Sequence, residues 1–476
     1  DLRLGQVELA TQFIAKPMVG IGIALIFLIL AGLGAAVFFW QQPPFLIIAA
    51  AAVFGGYMAL NIGANDVANN MGPAVGANAL TMGGAIAIAA VAESAGALLA
   101  GGDVVSTISK GIIDPAGVAQ TEIFIWAMMA ALISSAMWVN LATYVGAPVS
   151  TTHSVVGGVM GAGIAAAGFG AVNWATMSKI AASWVISPVL GGVIAAIFLA
   201  FIKAKIIYQE DKIAAARRWV PVLIGIMAAA FASYLALKGL KRIYKIDLSL
   251  ALMIGAATGF LLYFVSRPLI NRQSQGLENR NKSLKILFNI PLILSAAMLS
   301  FAHGANDVAN AVGPLAAIVH ALEFDGAATK VAIPLWVMII GAFGISFGLF
   351  LFGPKLIRMV GSQITKLNAM RAYCVALSAA ITVIVASWLG LPVSSTHIAV
   401  GAVFGVGFYR EYEVKRRAQK TAKSSKGHSI APEERKRRKL VRRSHFMTII
   451  AAWVITVPAA ALLSAVIFLV LNVIFV

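Results

Sequence analysis

Long apolar stretches without charge recur along the chain, and shorter polar segments separate them. Crossing the hydrocarbon core of a membrane takes about 20 residues of α-helix, and several stretches reach that length. The pattern therefore predicts an all-α polytopic membrane protein with about 11–13 membrane segments. The clearest apolar stretches are Met18–Trp40, Pro44–Leu60, Ile86–Ala100, Gly191–Ile202, Leu248–Val265, Val331–Gly353 and Met447–Val476.

The composition supports the membrane class. Of the 476 residues, 60% are hydrophobic and only 12% are charged, and the mean hydropathy is +0.89. A soluble protein of this length would need many more polar residues to cover its surface. The single cysteine, Cys374, excludes a disulfide framework and a thiolate metal cluster. The first apolar stretch follows Lys16 and Pro17 without a cleavage signal, which predicts a retained membrane span.

The positive charge is concentrated in polar loops. Fourteen Lys or Arg and four acids lie within Arg410–Arg443, which accounts for +10 of the net +19. The positive-inside rule predicts that a loop over residues 410–445 is cytoplasmic, as are the basic stretches Lys203–Arg218 and Arg267–Lys285. A solvated loop that sets the topology at the surface of the membrane lipid is favoured over a specific lipid or nucleic-acid site. The basic stretch from Lys238 to Lys245 lies between two of them, and its side is left open.

Two motifs occur twice in the same order. GANDVANNMGP at residues 63–73 matches GANDVANAVGP at 304–314, and PVSTTH at 148–153 matches PVSSTH at 392–397. The offsets are 241 and 244 residues, so the copies lie in nearly the same register. This predicts two transport repeats, together with two further units. The predicted units are an N-terminal span at 1–43, repeat one at 44–205, a two-segment connector at 206–285 and repeat two at 286–476.

Charge also indicates how the repeats are oriented. The loop that follows PVSSTH is strongly basic, whereas the matching stretch Gly168–Ala181 contains one charge, Lys179. Matching loops on opposite sides of the membrane mean that the repeats are inverted. Inverted repeats with broken helices or re-entrant hairpins are typical of secondary transporters, whose sites lie near the membrane midplane.

Each GANDVAN copy places one acid inside an apolar segment. Gly and Pro break a membrane helix, and a broken backbone is tolerated where it lines a cavity or is buried in protein. An ionisable residue inside a membrane segment predicts a functional site. Oxygen ligands of this kind suit Na⁺, a carboxylate could instead carry a proton, and capping of broken helices is the structural alternative. The candidate cation ligands are Asp66 and Asp307 above all, with Asn65, Asn69, Glu93, Asn306 and Asn310.

The hydroxyl runs of the second motif complement the acids. Hydroxyl and backbone N–H groups at a helix start can hold an anion without a fixed positive charge. Neither motif contains Lys or Arg, so an anion near two carboxylates needs a cation first, which is thermodynamic coupling. The alternative for the hydroxyls is ordinary capping. The candidate anion ligands are Ser150, Thr151, Thr152, Ser394, Ser395 and Thr396.

Three histidines accompany these motifs. His153 and His397 end the two PVS(S/T)TH copies and could shuttle protons, contact the anion or hold a hairpin by hydrogen bonding. His303 precedes the second GANDVAN, where the first copy has Ile62, and we expect it to act beside the site. Lys110, in STISKGIID, is expected at a membrane boundary, where its chain could reach toward water.

These motifs resemble the PiT family of inorganic phosphate transporters. The resemblance rests on GANDVANNMGPAVGANALT, HGANDVANAVGP, STISKGIID and the paired PVSTTH and PVSSTH, and it extends from about Phe45 to the end of the chain. It implies symport of inorganic phosphate with Na⁺ or H⁺ and no cofactor. It also implies that the Asn-Asp pairs bind the cation and the hydroxyl runs bind phosphate. Whether phosphate travels as a metal complex, and whether the chain forms a homodimer, is left open.

One departure concerns the coupling ion. Sodium-coupled eukaryotic members have a second Glu in the segment that leads to LPVSSTH, and Ala376 aligns with it here. The STISKGIID context nevertheless favours Na⁺ slightly over H⁺. The long hydrophilic insert of animal members between the halves is absent, which predicts a bacterial inner-membrane protein.

Three other functions compete with phosphate symport. A passive anion channel would want a basic pore lining and would not need acids beside the anion. A membrane enzyme is disfavoured because the sequence contains no metal-binding His/Glu motif, no P-loop and no nucleophile elbow. A related tetrahedral oxyanion such as sulfate is too similar to phosphate in shape and charge to be separated on sequence.

Overall fold

The fold is helical throughout the part of the chain that the structure describes. The computed structural model describes residues 2–41, 45–113, 118, 120–145, 149–239, 246–324, 333–360, 367–424 and 443–476, and no β-strand occurs among them. The helices are α1 Leu2–Phe39, α2 Phe45–Asn65, α3 Val67–Gly76, α4 Met82–Ala100, α5 Gly102–Ser106, α6 Thr121–Val145, α7 Thr151–Ala167, α8 Trp174–Ile202, α9 Lys212–Tyr234, α10 Leu248–Gln273, α11 Asn281–Leu287, α12 Asn289–Phe324, α13 Leu335–Met359, α14 Ala369–Trp388, α15 Ser395–Ser424 and α16 Arg443–Phe475.

The prediction of a polytopic membrane protein is confirmed. Eleven helical segments within the described ranges are long and apolar enough to cross a membrane. Helices suit this environment because every backbone N–H and C=O inside lipid must find a partner within the segment. Apolar side chains on the outer helices remain exposed, with Phe38 at 78% and Val473 at 85%, as expected of a lipid-facing surface.

Polar side chains mark where several helices begin. Thr81, Asn173 and Asp211 each accept a hydrogen bond from the backbone N–H three residues later, at 3.2, 3.0 and 2.9 Å. Such a cap supplies a partner for one of the N–H groups that the first helical turn leaves without one.

Helices of each half of the chain pack against helices of the other half. Helix α2 packs against α13, and α4 packs against α12; likewise α7 packs against α16, and α8 packs against α15. Each contact therefore joins a helix of predicted repeat one to a helix of predicted repeat two. A two-fold axis that relates the repeats would produce contacts of this kind between them.

The first glycine of each GANDVAN copy lies where two of these helices touch. A Cβ added to Gly63 would lie 1.9 Å from the carbonyl oxygen of Ile345, and one added to Gly304 would lie 2.1 Å from that of Glu93. No real side chain tolerates such distances, so only glycine permits these backbones to approach. The glycine therefore fixes the depth at which the adjacent Asn-Asp pair sits against α13 or α4.

The two GANDVAN segments differ in backbone continuity. In the first copy α2 and α3 meet at Asp66, a local irregularity that keeps helical dihedral angles (φ −85°, ψ −34°) and donates its N–H to the carbonyl of Ile62 at 2.9 Å. In the second copy α12 runs through the motif without interruption, although Pro314 lies inside it. The expected break is thus absent in the second copy and is only a local irregularity in the first. A proline removes only one backbone N–H, and a helix enclosed by packed neighbours on all sides can accommodate that loss.

The connector forms an antiparallel pair of helices, α9 and α10. Lys212 begins α9 and donates its backbone N–H to Asn279 Oδ1 at 3.0 Å, so this end lies beside the basic 267–285 stretch. The helical turn Leu235–Gly239, which follows the other end of α9, contains Lys238, and Lys238 forms an ion pair with Asp103. Residues 240–245, and residues 425–442 of the long basic loop, lie outside the described residues.

Candidate functional site

The hydroxyl runs start two helices. Ser150 precedes α7 and accepts a hydrogen bond from the backbone N–H of His153 at 3.2 Å, and Ser394 accepts one from that of His397 at 3.3 Å. These two serines are therefore caps, as the structural alternative expected, although each hydroxyl can still donate its proton. Pro148 lies outside the described residues.

The two motifs interlock across the halves of the chain. Asn69 donates its amide N–H to Thr396 Oγ1 at 2.8 Å, and Asn310 donates to Thr152 Oγ1 at 3.0 Å. Each bond joins the second Asn of one GANDVAN to the last Thr of the other repeat's hydroxyl run. The second Asn of each copy therefore joins residues predicted to bind cation to residues predicted to bind anion.

The two aspartates have different surroundings. Asp66 accepts hydrogen bonds from Thr151 Oγ1 at 2.7 Å and from Thr396 Oγ1 at 3.4 Å. Asp307 is equally buried, and its Oδ2 lies 3.1 Å from Nε2 of His303. Its other oxygen, Oδ1, has no hydrogen-bond partner, and neither has the hydroxyl of Ser395.

A buried chain of polar groups continues from Asp307 to α4. His303 lies between two acids, with Nδ1 at 2.6 Å from Glu93 Oε2 and Nε2 beside Asp307. Asn70 donates to the other oxygen of Glu93 at 3.0 Å. Nδ1 of His303 forms a hydrogen bond with Glu93, while Nε2 lies near Asp307 without a hydrogen bond to it. Sequence reasoning named Glu93 and His303 separately and missed Asn70.

The oxygen atoms of this cluster suit a hard cation. Donor atoms of Asp66, His303 and Asp307 all lie within 4.8 Å of one another. The unpartnered Oδ1 of Asp307 and the unpartnered amide oxygen of Asn310 are buried with them. Carboxylate and amide oxygens are ligands of hard cations, and an unsatisfied buried oxygen is costly without one. The donor set is therefore suited to a hard cation.

The first Asn of each GANDVAN copy points into the surrounding protein. Asn65 donates to Thr143 Oγ1 at 2.7 Å. Asn306 donates to Ser387 Oγ at 3.1 Å, and its amide oxygen accepts from the backbone N–H of Val393 at 3.1 Å. These contacts hold the loop before the second hydroxyl run, so Asn306 orients the site through its surroundings in this conformation.

An aromatic cluster joins the two hydroxyl-bearing helices. The rings of His153 and His397 lie 4.5 Å apart, and Trp184 lies 3.9 Å from His153. Trp184 also donates its indole N–H to the carbonyl of Pro392 at 3.1 Å. The histidines thus pack together where the two helices start. Trp184 was missed, although it lies in SWVISP at residues 183–188, which resembles AWVITVP at 452–458.

The comparisons with known proteins agree with this geometry. The sequence profile of the "Phosphate transporter family" matches residues 62–464. A protein of Helicobacter pylori named as a phosphate permease is 47% identical, with 98% of this chain and 97% of that protein covered. The "Inorganic phosphate transporter 2-1, chloroplastic" of Arabidopsis thaliana is 36% identical, with 88% of this chain and 71% of that protein covered.

A solved structure is also similar. It is titled "The sodium-dependent phosphate transporter", is 36% identical and superposes with a TM-score of 0.81, covering 90% of this chain and all of that one. Family and fold are those of a transporter and not of an enzyme. The chain belongs to the phosphate transporter family.

Proposed function

We propose that the protein is a secondary active symporter that imports inorganic phosphate together with Na⁺ by alternating access. The observation that carries the proposal is the pair of bonds Asn69–Thr396 and Asn310–Thr152. They join groups suited to a cation to groups suited to an anion across the two halves of the chain. A site shared in this way makes the binding of one ion depend on the other.

The anion would be held where α7 and α15 begin. Thr151, Thr152, Ser395 and Thr396 are all buried there. The first N–H groups of a helix have no partner within it, and they carry part of the positive end of the helix dipole. Two such ends provide donors for a tetrahedral oxyanion without lysine or arginine.

The cation would neutralise the acids beside that anion. Asp66, Glu93 and Asp307 are three carboxyl groups within one buried cluster, and His303 is the one basic side chain between them. A phosphate close to these carboxylates is repelled until positive charge arrives. Loading of Na⁺ before or with phosphate therefore follows from charge alone.

The coupling ion is the finer part of the proposal. The similar solved transporter is titled sodium-dependent, and the hard oxygen donors around Asp307 favour Na⁺ here as well. Ala376, which aligns with the second glutamate of sodium-coupled relatives, is buried and offers no ligand. Proton coupling through the acids and His303 is the alternative.

The burial of the site supports alternating access. Asp66, Asp307 and the hydroxyl runs are almost inaccessible in this conformation. Substrates can reach such a site only when one side of the protein opens, and inverted repeats provide two related gates. We expect the protein in a bacterial inner membrane, with loop 410–445 in the cytoplasm.

Radiolabelled phosphate uptake into proteoliposomes tests the proposal. An inward Na⁺ gradient should drive accumulation above the external concentration, whereas an inward proton gradient without Na⁺ should not. Uptake driven by the proton gradient alone would assign the coupling to H⁺. Equilibration without accumulation would indicate a channel, and stronger inhibition by sulfate than by unlabelled phosphate would identify sulfate as the substrate.

A further inference from the structure

A second polar cavity lies apart from the central site. Its volume is about 590 Å³, within the usual size range of small-molecule sites, about 300–1,000 Å³. It is bounded by the ends of α4, α9 and α12 and by the segment that follows α4. Its polar lining residues include Asp103, Ser106, Lys110, Lys238, His320 and Glu323.

The position of the cavity along α12 relates it to the central site. Asn310 belongs to the central site, whereas Ala316 and His320 line the cavity. Six residues of helix separate Asn310 from Ala316, about 9 Å at 1.5 Å per residue. Helix α12 begins beside the basic 267–285 stretch, so the cavity lies toward the opposite membrane face, the external one by the positive-inside rule.

A short segment separates the two sites. It consists of α5 and one turn of π-helix at Thr107–Gly111. Ile108 packs so closely on α12 that a Cβ on Gly313 would lie 2.5 Å from its Cγ2. Thr107 donates its hydroxyl to the carbonyl of Gly390 at 2.7 Å, in the loop that leads to the second hydroxyl run. A π-helical turn is often found at functional positions.

The polar groups of the cavity suit an oxyanion. Lys110 Nζ lies 2.9 Å from Nε2 of His320. An ammonium group can only donate, so His320 accepts there and fixes the position of the Lys110 head group. Lys238 forms an ion pair with Asp103, while Glu323 is exposed and therefore screened by water. Lysine binds phosphate as a compact point charge with three donors.

We propose that this cavity is a second oxyanion site, where phosphate binds through the ammonium groups of Lys110 and Lys238 before it reaches the central site. The identity of the anion rests on the proposed function. The cavity presents the ammonium groups of Lys110 and Lys238 beside the carboxylates of Asp103 and Glu323, so an anion there has cationic partners within the protein and binding does not require Na⁺. The central site contains buried carboxylates and does require a cation. The two sites are therefore separable by their dependence on Na⁺.

Equilibrium binding of radiolabelled inorganic phosphate to the full chain in nanodiscs tests the second site. The measurement uses Na⁺-free choline buffer and a Thr152→Ala, Thr396→Ala background, which weakens the central site. Phosphate binding should persist in this background. Adding Lys110→Gln should lower the affinity at least 10-fold, Lys110→Arg should retain most of it, and Lys179→Gln, at an exposed lysine away from the cavity, should leave it unchanged.

The proposal is overturned if Lys110→Gln binds phosphate as tightly as its background, or if Lys179→Gln weakens binding equally. Loss of Na⁺-dependent binding in a Lys110→Gln chain with both threonines intact would also overturn it, because that variant should preserve the fold and the central site. Failure of the parent chain to bind phosphate with Na⁺ would instead refute the proposed function, while the Na⁺-free measurement would still report on the cavity.

Discussion

Asp66 and Asp307 have different hydrogen-bond partners, and their substitution should therefore affect the stability of the protein differently. Asp66→Asn and Asp307→Asn should each abolish Na⁺-coupled phosphate uptake, because an amide cannot supply the negative charge that a cation needs. Asp66 already accepts two hydroxyl hydrogen bonds, whereas one oxygen of Asp307 has none. The Asp307 variant should therefore unfold at the same temperature as the parent or higher, since it removes an unsatisfied charge.

Uptake in proteoliposomes and thermal unfolding in detergent measure these two effects separately. Either variant transporting phosphate at the parent rate, with normal Na⁺ dependence, would remove that aspartate from the cation site.

The threonine hydroxyls should matter more for phosphate than for the cation. A hydrogen bond to a charged group contributes about 1.5–3 kcal/mol, which corresponds to about 10- to 150-fold in affinity. Thr152→Ala or Thr396→Ala should weaken phosphate binding by that factor, and extra Na⁺ should restore part of it because the ligands are linked. Ser150→Ala is the matched control, since its hydroxyl caps α7.

Loss of that cap should cost about 1 kcal/mol of stability with little change in phosphate affinity. Isothermal binding of phosphate at several Na⁺ concentrations distinguishes the two classes of variant. A Thr152→Ala, Thr396→Ala chain that binds phosphate as tightly as the parent would leave only backbone donors and cations to hold the anion.

Sequence patterns predicted most residues of the buried polar cluster but not all their contacts, and their roles in ion binding stay a prediction. The duplicated motifs predicted that Asn-Asp pairs and hydroxyl runs meet, because each carries polar groups that an apolar segment must satisfy. The contact of Glu93 with His303 could not be predicted, since the two lie 210 residues apart and Glu93 belongs to neither repeated motif. Asn70 was missed because the second copy has Ala311 at that position, so duplication gave no signal.

At the scale of helices, the glycines where two backbones cross closely should be the positions least tolerant of substitution. Gly63→Ala would drive a methyl group into the Ile345 carbonyl and force α2 away from α13. We expect a clear loss of thermal stability and of transport together. Gly83→Ala, on α4 with no atom within 4 Å of the added methyl, is the control and should gain about 0.5–1 kcal/mol from helix propensity.

Differential scanning fluorimetry and phosphate uptake, both measured on the Gly63→Ala and Gly83→Ala variants, test this prediction. Equal stability of the Gly63 and Gly83 variants would mean that α2 and α13 do not meet closely at the motif.

Helix continuity was harder to predict than helix existence. Both GANDVAN copies contain the same Gly and Pro positions, and the backbone stays close to helical through both, with a local irregularity at Asp66 in the first copy alone. Whether a helix breaks depends on what its free carbonyls and side chains find nearby, and that is set by tertiary packing. The apolar stretches, in contrast, depend only on the need to satisfy the backbone in lipid, and they predicted the membrane spans well.

At the scale of the whole molecule, the orientation of the two halves remains a prediction that labelling can test. The packing of α2 with α13 and of α4 with α12 is what a two-fold relation would give. Charge supplies the direction, because Lys and Arg are retained on the cytoplasmic side. The loop after α15 is strongly basic, and the matching stretch before α8 contains Lys179 alone.

Single-cysteine variants in intact cells test that orientation with a membrane-impermeant maleimide. The native Cys374 is buried and should stay silent. Lys179→Cys, near the start of α8, is exposed and should react from outside. Ser424→Cys, at the end of α15, should react only after the membrane is opened by detergent. Reaction of both cysteines from outside would place matching loops on one side and overturn the inverted arrangement, because a parallel duplication gives equal accessibility. Protection of Lys179→Cys together with external reaction of Ser424→Cys would instead reverse the whole protein in the membrane, and the Lys110 cavity would then face the cytoplasm.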